Sequence, residues 1–157
     1  MALLTNRMME MLADEGVDFE IIHHRLDFTA QGTAADTHTP GRAFAKCVVL
    51  DLDGDYAMAV IPAHHKIDFY KAGQMLKTDV TLAKEADIQE LFPDCEVGAE
   101  PPFGNLYDMP VYVSPELADS KLITFNAGTH HEAVRMRYED FARMANPVML
   151  DLSWQRK

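Results

Sequence analysis

Lys46 is a lone cation in an otherwise apolar run, Ala43-Phe44-Ala45-Lys46-Cys47-Val48-Val49-Leu50. Burying an ammonium is costly unless the charge is compensated. Such a lysine is therefore either an edge residue whose stem snorkels to water, or a partly desolvated cation that binds a phosphate or a carbonyl oxygen. Further along lies Gly98-Ala99-Glu100-Pro101-Pro102-Phe103-Gly104, too rich in Gly and Pro for a helix or sheet interior. It is either a simple turn or a stiff backbone whose N–H and C=O groups point in fixed directions, as an oxyanion hole or amine clamp requires. Glu100 within it is a solvated loop acid, or a group that orders a water or accepts a substrate amine. A cation beside such a ribbon can grip and polarise a small carbonyl substrate.

Other chemistries have weaker support. Three histidine doublets, His23-His24, His64-His65 and His130-His131, raise a zinc site and with it a metal hydrolase. Neighbours on a strand point to opposite faces, so each doublet is expected to send only one ring to a common centre. No HExxH or CxxC supports the metal, and none is expected. No Gly-x-Ser-x-Gly occurs, and Ser114, Ser120 and Ser153 fall in loop-like or terminal stretches. Cys47 beside Lys46 would face the other way on a strand and is expected to be buried and inert. Nothing marks Cys95 as reactive.

The elements that must position these groups follow from periodicity and punctuation. Residues 3–15 place Leu4, Met8, Met11 and Leu12 at helical spacing, and Gly16 stops them. Residues 17–23 form a strand candidate, and Thr29 caps a short helix to Asp36. Residues 45–53 and 55–63 are apolar, β-branched runs meeting at Asp53-Gly54, a hairpin signal. Helices are predicted over 68–76 and 82–91, the second ended by Pro93. Strands are predicted over 110–114, 121–126 and 131–137, with a turn at Asn126-Ala127-Gly128-Thr129. A helix over 138–144 ends before Pro147. Hairpins and helices without regular βα alternation argue for an α+β fold with a mixed, mostly antiparallel sheet.

The chain has 157 residues, 48% hydrophobic and 25% charged, which suits one domain spanning 1–157. No apolar run is long enough to span a bilayer. The start lacks a signal-peptide pattern, and two cysteines in no metal or redox spacing fit a reduced, cytoplasmic protein. The net charge of −11 disfavours sequence-blind adhesion to a nucleic-acid backbone, so neither DNA nor a membrane is an expected partner. It still permits a grip on one nucleotide end by a small basic group, for which Arg42, Lys46, Lys66 and Lys71 are nearest.

Ala45-Lys46, Val60-Ile61-Pro62-Ala63-His64-His65-Lys66-Ile67-Asp68, Leu82-Ala83, Gly98 to Gly104 and Phe125-Asn126-Ala127-Gly128 resemble, in that order, the YbaK/ProX family. These are the prolyl-tRNA-synthetase-associated domains, and their stand-alone members are aminoacyl-tRNA deacylases. The resemblance implies a curled sheet flanked by helices and hydrolysis of the ester joining a wrong amino acid to the 3′ adenosine of a tRNA, with no cofactor. It places the family's lysine on Lys46 and its Gly-x-x-x-Pro loop on Gly98, Ala99, Glu100, Pro101 and Pro102. Phe28, Thr29, Ala30 and residues near Gly128, His130 and His131 are the implied pocket walls. Alanine or cysteine on proline tRNA are the implied mischarged products, with serine and threonine as further choices. The acidic net charge implies that only the acceptor end is gripped, or that a synthetase or elongation factor presents the tRNA. The alternative is a non-catalytic module of the same fold that binds an aminoacyl or nucleotide end.

Overall fold

The computed structural model describes residues 6–155. Helix α1 (Asn6–Glu15) ends at Gly16, whose φ of +66° a glycine adopts freely, and strand β1 (Phe19–His23) follows. Residues 3–5 of the expected first helix, Leu4 among them, lie outside the described residues. Helix α2 (Ala30–Asp36) is capped as expected by Thr29, whose hydroxyl accepts from the Gly32 N–H at 3.0 Å. Strands β2 (Ala45–Leu52) and β3 (Asp55–Pro62) pair antiparallel from Ala45↔Pro62 to Leu52↔Asp55. Asp53 and Gly54 turn between them with φ of 55° and 102°, the doubly left-handed geometry of a tight hairpin. Next come β4 (His65–Ile67), α3 (Phe69–Leu76) capped by Asp68, β5 (Val80–Leu82) and α4 (Glu85–Leu91). Beyond the Gly/Pro loop lie β6 (Val111–Val113), α5 (Pro115–Ala118), β7 (Leu122–Thr129), β8 (Glu132–Arg137), α6 (Tyr138–Ala145), β9 (Val148–Met149) and β10 (Ser153–Gln155).

The strands form a five-stranded sheet ordered β5-β2-β3-β6-β9, a three-stranded sheet ordered β1-β8-β7, and the pair β10-β4. The large sheet is mixed, because β3–β6 and β6–β9 run parallel. A bridge between Phe44 and Thr124 joins it to the three-stranded sheet. The result is an α+β domain with mixed sheets and helices, as expected.

Both faces of the β2–β3 pair are covered, which is why its sequence is a nearly continuous apolar run. One face (Ala45, Val49, Met58, Val60) joins Phe103, Phe125, Phe141, Met8 and Leu12 in the main core. The other (Leu50, Ala59, Ile61) packs on Ile67, Ala72, Val80 and Leu152 from β4, α3, β5 and the C-terminal segment. Helix α2 lies over the start of β2 through Ala34, Phe44 and Ala63. Its C-terminal end is held by Arg135, which donates to the Thr37 carbonyl at 2.6 Å and the Thr39 hydroxyl at 2.9 Å.

Two expectations are corrected. The predicted helix over 82–91 begins only at Glu85, because Val80-Thr81-Leu82 pairs with Leu50-Asp51-Leu52 as an edge strand. Open backbone bonds along β2 outweigh the helical spacing of Leu82. The predicted turn at Asn126–Thr129 is instead the end of β7, where the register with β8 slips. Gly128, at φ +96°, directs its N–H and C=O out of the ladder, to Ala99 of the Gly/Pro loop and to Glu96 just before it, and the chain reverses at His130-His131. Among the described residues no helix is long and apolar enough to cross a membrane.

Gly104 marks how tightly the far end of the Gly/Pro loop is packed. A Cβ there would lie 2.8 Å from a Val111 methyl and 3.1 Å from the Met109 carbonyl oxygen. Gly104→Ala is expected to destabilise the protein by about 1–3 kcal/mol through overpacking, read as a lower midpoint in urea unfolding.

Candidate active site

Lys46 sits near the start of β2, on the face opposite the main core, where the second layer leaves room. Its ammonium donates to the His65 carbonyl at 2.5 Å and the Ala63 carbonyl at 3.3 Å. An ammonium has three donors, so these two bonds leave one for another oxygen. The side chain is half-buried. Burial lowers its pKa, and the neighbouring Lys66 charge lowers it further. The two carbonyl dipoles offset part of that desolvation. Lys46 is thus neither a snorkelling edge lysine nor a group in bulk solvent.

The ammonium opens on a cleft of about 300 Å³ walled by Thr29, Ala30, Gln31, Ala63, His64, His65 and Lys66. Among the described residues no carboxylate lines it, in a chain with 25 acidic and 14 basic residues. A larger depression of about 890 Å³ beside α3 and β5 includes Asp53 and Asp79 in its walls, which disfavours an anionic ligand there.

The Gly/Pro loop forms a second assembly. Gly98 has φ of +90°, and a Cβ on it would come 3.3 Å from the His130 ring. The buried Glu100 carboxylate folds back to accept from the Gly98 N–H at 2.6 Å. The backbone donors expected to face a substrate carbonyl therefore include one already bound to an internal acid. Ala99 O accepts from Gly128 N–H at 2.9 Å, and Gly128 O accepts from Glu96 N–H at 2.8 Å. The His130 ring Nε2 lies at hydrogen-bond distance, 2.8 Å, from Val97 O, and the His130 backbone N–H donates to the Glu96 carboxylate at 2.8 Å. Pro101 and Pro102 are buried, and His131 is half-buried in the β7–β8 turn.

Sequence-predicted site residues thus fall into two neighbouring groups. Thr29, Ala30 and Lys46 share the cleft; Gly98, Ala99, Glu100, Gly128 and His130 share the loop assembly. Lys46 and Gly98–Pro102 do not wall one cleft. Cys47, leaving the opposite face of β2, is close enough to Glu100 to feel its charge. The segment Asp27–Ala30 reaches both groups. Phe28 packs against the His130 ring, tilted by 51° with centroids 4.6 Å apart, and Asp27 N–H donates to His130 O at 3.1 Å. The Asp27 carboxylate accepts from the Thr29 N–H and hydroxyl, each at 2.9 Å. Lys66, one of the basic residues expected near the site, also lines the cleft, as does Gln31, which no motif marks; the helical step from the Thr29 cap is the one signal that leads to Gln31.

The histidine doublets do not converge on one centre. Among the described residues, the ligand-bearing groups that come within 4.8 Å of one another are His64, His65 and Glu116. His65 Nε2 lies 2.6 Å from the Glu116 carboxylate, and its Nδ1 is 2.7 Å from the Ser153 hydroxyl. Both rings of this doublet reach Glu116, contrary to the strand argument, because His64 lies between β3 and β4 and not within a strand. Burial lowers the His65 pKa and the Glu116 charge opposes that. The thiols are unsuited to nucleophilic attack. Burial holds Cys47 well above its ordinary pKa and pushes Cys95 up to about 12.

Comparison with known proteins bears on this arrangement. Residues 24–144 match the family described as aminoacyl-tRNA editing domain. A protein of Escherichia coli (strain K12), the multifunctional Ser/Thr-tRNA deacylase ProXp-y, is 26% identical over 151 residues, covering 92% of this chain and 90% of its own. A crystal structure of a candidate trans-editing enzyme for prolyl-tRNA synthetase superposes with a TM-score of 0.82 at 16% identity, over 98% of both chains. A scaffold protein used for computational epitope grafting superposes with a TM-score of 0.85 at 16% identity, also over 98% of both. At such identities the two structures show a shared fold.

Glu100 gives the loop assembly a pH signature. Burial pushes its carboxyl up to about 7, outweighing the opposing bonds from the Gly98, Glu100 and Ala99 N–H groups and the His130 charge. A carboxyl whose folded pKa lies above its unfolded value binds more protons when folded, so stability falls as pH rises between the two values. From the ordinary 4.5 to about 7, this group's contribution is on the order of 3 kcal/mol. Glu100→Gln keeps an acceptor for Gly98 and cannot ionise. Urea unfolding at pH 5 and pH 8 is expected to show a smaller loss of stability across that range in Glu100→Gln than in wild type.

Proposed function

We propose that this chain, which belongs to the aminoacyl-tRNA editing domain family, uses Lys46 to hydrolyse the ester of small, mischarged aminoacyl-tRNAs. The observation that carries the reading is the half-buried Lys46 ammonium, fixed by the Ala63 and His65 carbonyls beside an acid-free cleft. The aminoacyl group enters the cleft between Thr29–Gln31 and Ala63–His65. The remaining Lys46 donor meets the ester carbonyl oxygen or the terminal phosphate. Water adds to the carbonyl carbon, helped by a hydroxyl of the substrate's own ribose, and the oxyanion faces the ammonium. Collapse breaks the bond to the ribose oxygen, which takes up a proton. The products are the free amino acid and tRNA with its 3′ ribose restored. An aminoacyl ester is already activated, so positioning and charge supply much of the acceleration.

The Gly98–Pro102 loop, Gly128, His130 and His131 act in this scheme by holding Phe28 and the start of α2 over the cleft. Glu100 maintains the loop from inside. Serine and threonine are the first amino acids to test, because the related E. coli deacylase is named for them and Gln31 is a polar wall able to meet a side-chain hydroxyl. The Thr29 hydroxyl is already engaged with Asp27 and Gly32. Alanine and cysteine on proline tRNA are the next candidates, selected by size. The acceptor end is the part gripped, in the cytoplasm, with a synthetase or elongation factor presenting the tRNA.

The test is deacylation of seryl-, threonyl-, alanyl- and cysteinyl-tRNA by wild type and Lys46→Ala. Loss of one strong stabiliser of an oxyanion lowers turnover about 100- to 1,000-fold, and a drop of that order is expected. Equal rates in the two proteins would remove Lys46 from the mechanism. Binding of mischarged tRNA without turnover by wild type would favour the non-catalytic module.

A further inference from the structure

A second cleft, of about 280 Å³, adjoins the first and is lined by Lys46, Val48, Ile61, Lys66, Ile67, Phe69, Leu82 and Trp154. Lys46 and Lys66 belong to both clefts, so the two compartments meet at the lysines. Their chemistry differs. The first offers hydroxyl, amide and imidazole groups, whereas the walls of the second are aliphatic and aromatic apart from the two ammonium groups. Three of those walls are large apolar side chains left open to solvent: Trp154 is 42% exposed, Phe69 38% and Leu82 58%.

We infer that this second cleft seats the adenine of the tRNA 3′-terminal nucleotide, with Trp154 as the stacking surface and Lys66 facing the adjacent phosphate. The inference rests on the deacylase reading and extends it to the other side of the scissile bond. An aminoacyl ester joins an amino acid to a ribose whose base lies one sugar away. Two adjoining compartments with Lys46 at their junction match that division, small polar group on one side and flat heterocycle on the other.

Charge and register favour a nucleotide over a protein partner as the occupant. Among the described residues no carboxylate lines the cleft, although the chain carries a net charge of −11. Lys66 forms no ion pair among the described residues. Trp154 on β10 is the direct antiparallel partner of Lys66 on β4. Directly opposed residues project from the same face of a strand pair, so the indole and the ammonium stand side by side. A base on an aromatic surface with its phosphate on a neighbouring cation is the general arrangement of single-stranded nucleic-acid sites. The cleft has room for one heterocycle, not for the extended patch that a stable protein interface buries.

Trp154 is the sole tryptophan, so its fluorescence reports on this cleft alone. Titration of the full-length protein with AMP is expected to give saturable quenching, and ribose 5-phosphate, which lacks the base, little. In kinetic assays Trp154→Ala is expected to raise KM for a mischarged tRNA about 5- to 150-fold, the equivalent of losing one base stack, and Trp154→Phe to recover most of it. Absence of AMP quenching, equal quenching by ribose 5-phosphate, or an unchanged KM in a folded Trp154→Ala protein would overturn the assignment. The wild-type titration decides the matter if that variant does not fold. The two readings fail separately. Quenching by AMP in a protein that deacylates nothing would leave the base site without the enzyme. Lys46-dependent deacylation with unmoved fluorescence would leave the enzyme without the base site.

Discussion

The site depends on one compensated charge. Lys46 enters an apolar strand pair where a bare ammonium is unfavourable, and the Ala63 and His65 carbonyls answer it from across the hairpin. Those carbonyls are available because β3 ends at Pro62 and the chain turns before β4 begins at His65. Ala63 thus lies outside either strand, and His65 opens the next one. The same turn presents the His64 and His65 rings to Glu116, which ties α5 to the cleft wall. The cation, the cleft and the histidine pair thus share one local cause.

Around that centre, the rest of the fold fixes what can approach. α2 starts at the Thr29 cap and rests on Phe44 and Ala63, so its first turn forms one wall of the cleft. Phe28, just before the cap, leans on His130, which is held by Glu96 and lies against Val97 O. The Gly/Pro loop therefore connects to the lysine through the α2 start, not by facing it directly. The buried Glu100 draws the loop's Gly98 N–H inward, so the loop keeps its shape without a ligand.

Much of this was legible in the residue pattern. The Asp53-Gly54 hairpin, the Thr29 cap and the lone Lys46 are local signals, each decided by a few neighbouring residues. The Asn126–Thr129 segment departs from its turn-like residues because Gly128 serves distant partners, Ala99 and Glu96, that no local rule supplies. The 82–91 helix starts later than its spacing predicts because the open edge of β2 claims Val80–Leu82. The strap β10 has no sequence signal because a three-residue strand carries no periodicity. It forms only where β4 offers a partner.

The amino-acid sequence by itself determined the hairpin, the capped helix, the stiffness of the Gly/Pro loop and the family to which the chain belongs. Backbone propensity, turn chemistry and motif order act over short distances, and residue order records them. Only the tertiary structure decided that Lys46 turns to the His65 side of the sheet while Cys47 turns to Glu100. It alone decided that Gln31 and Trp154 join the site, and that of the expected basic residues Lys66 is the one beside Lys46. Those outcomes depend on which face of a two-sided sheet is left uncovered, and that is set by the packing of remote segments against each other.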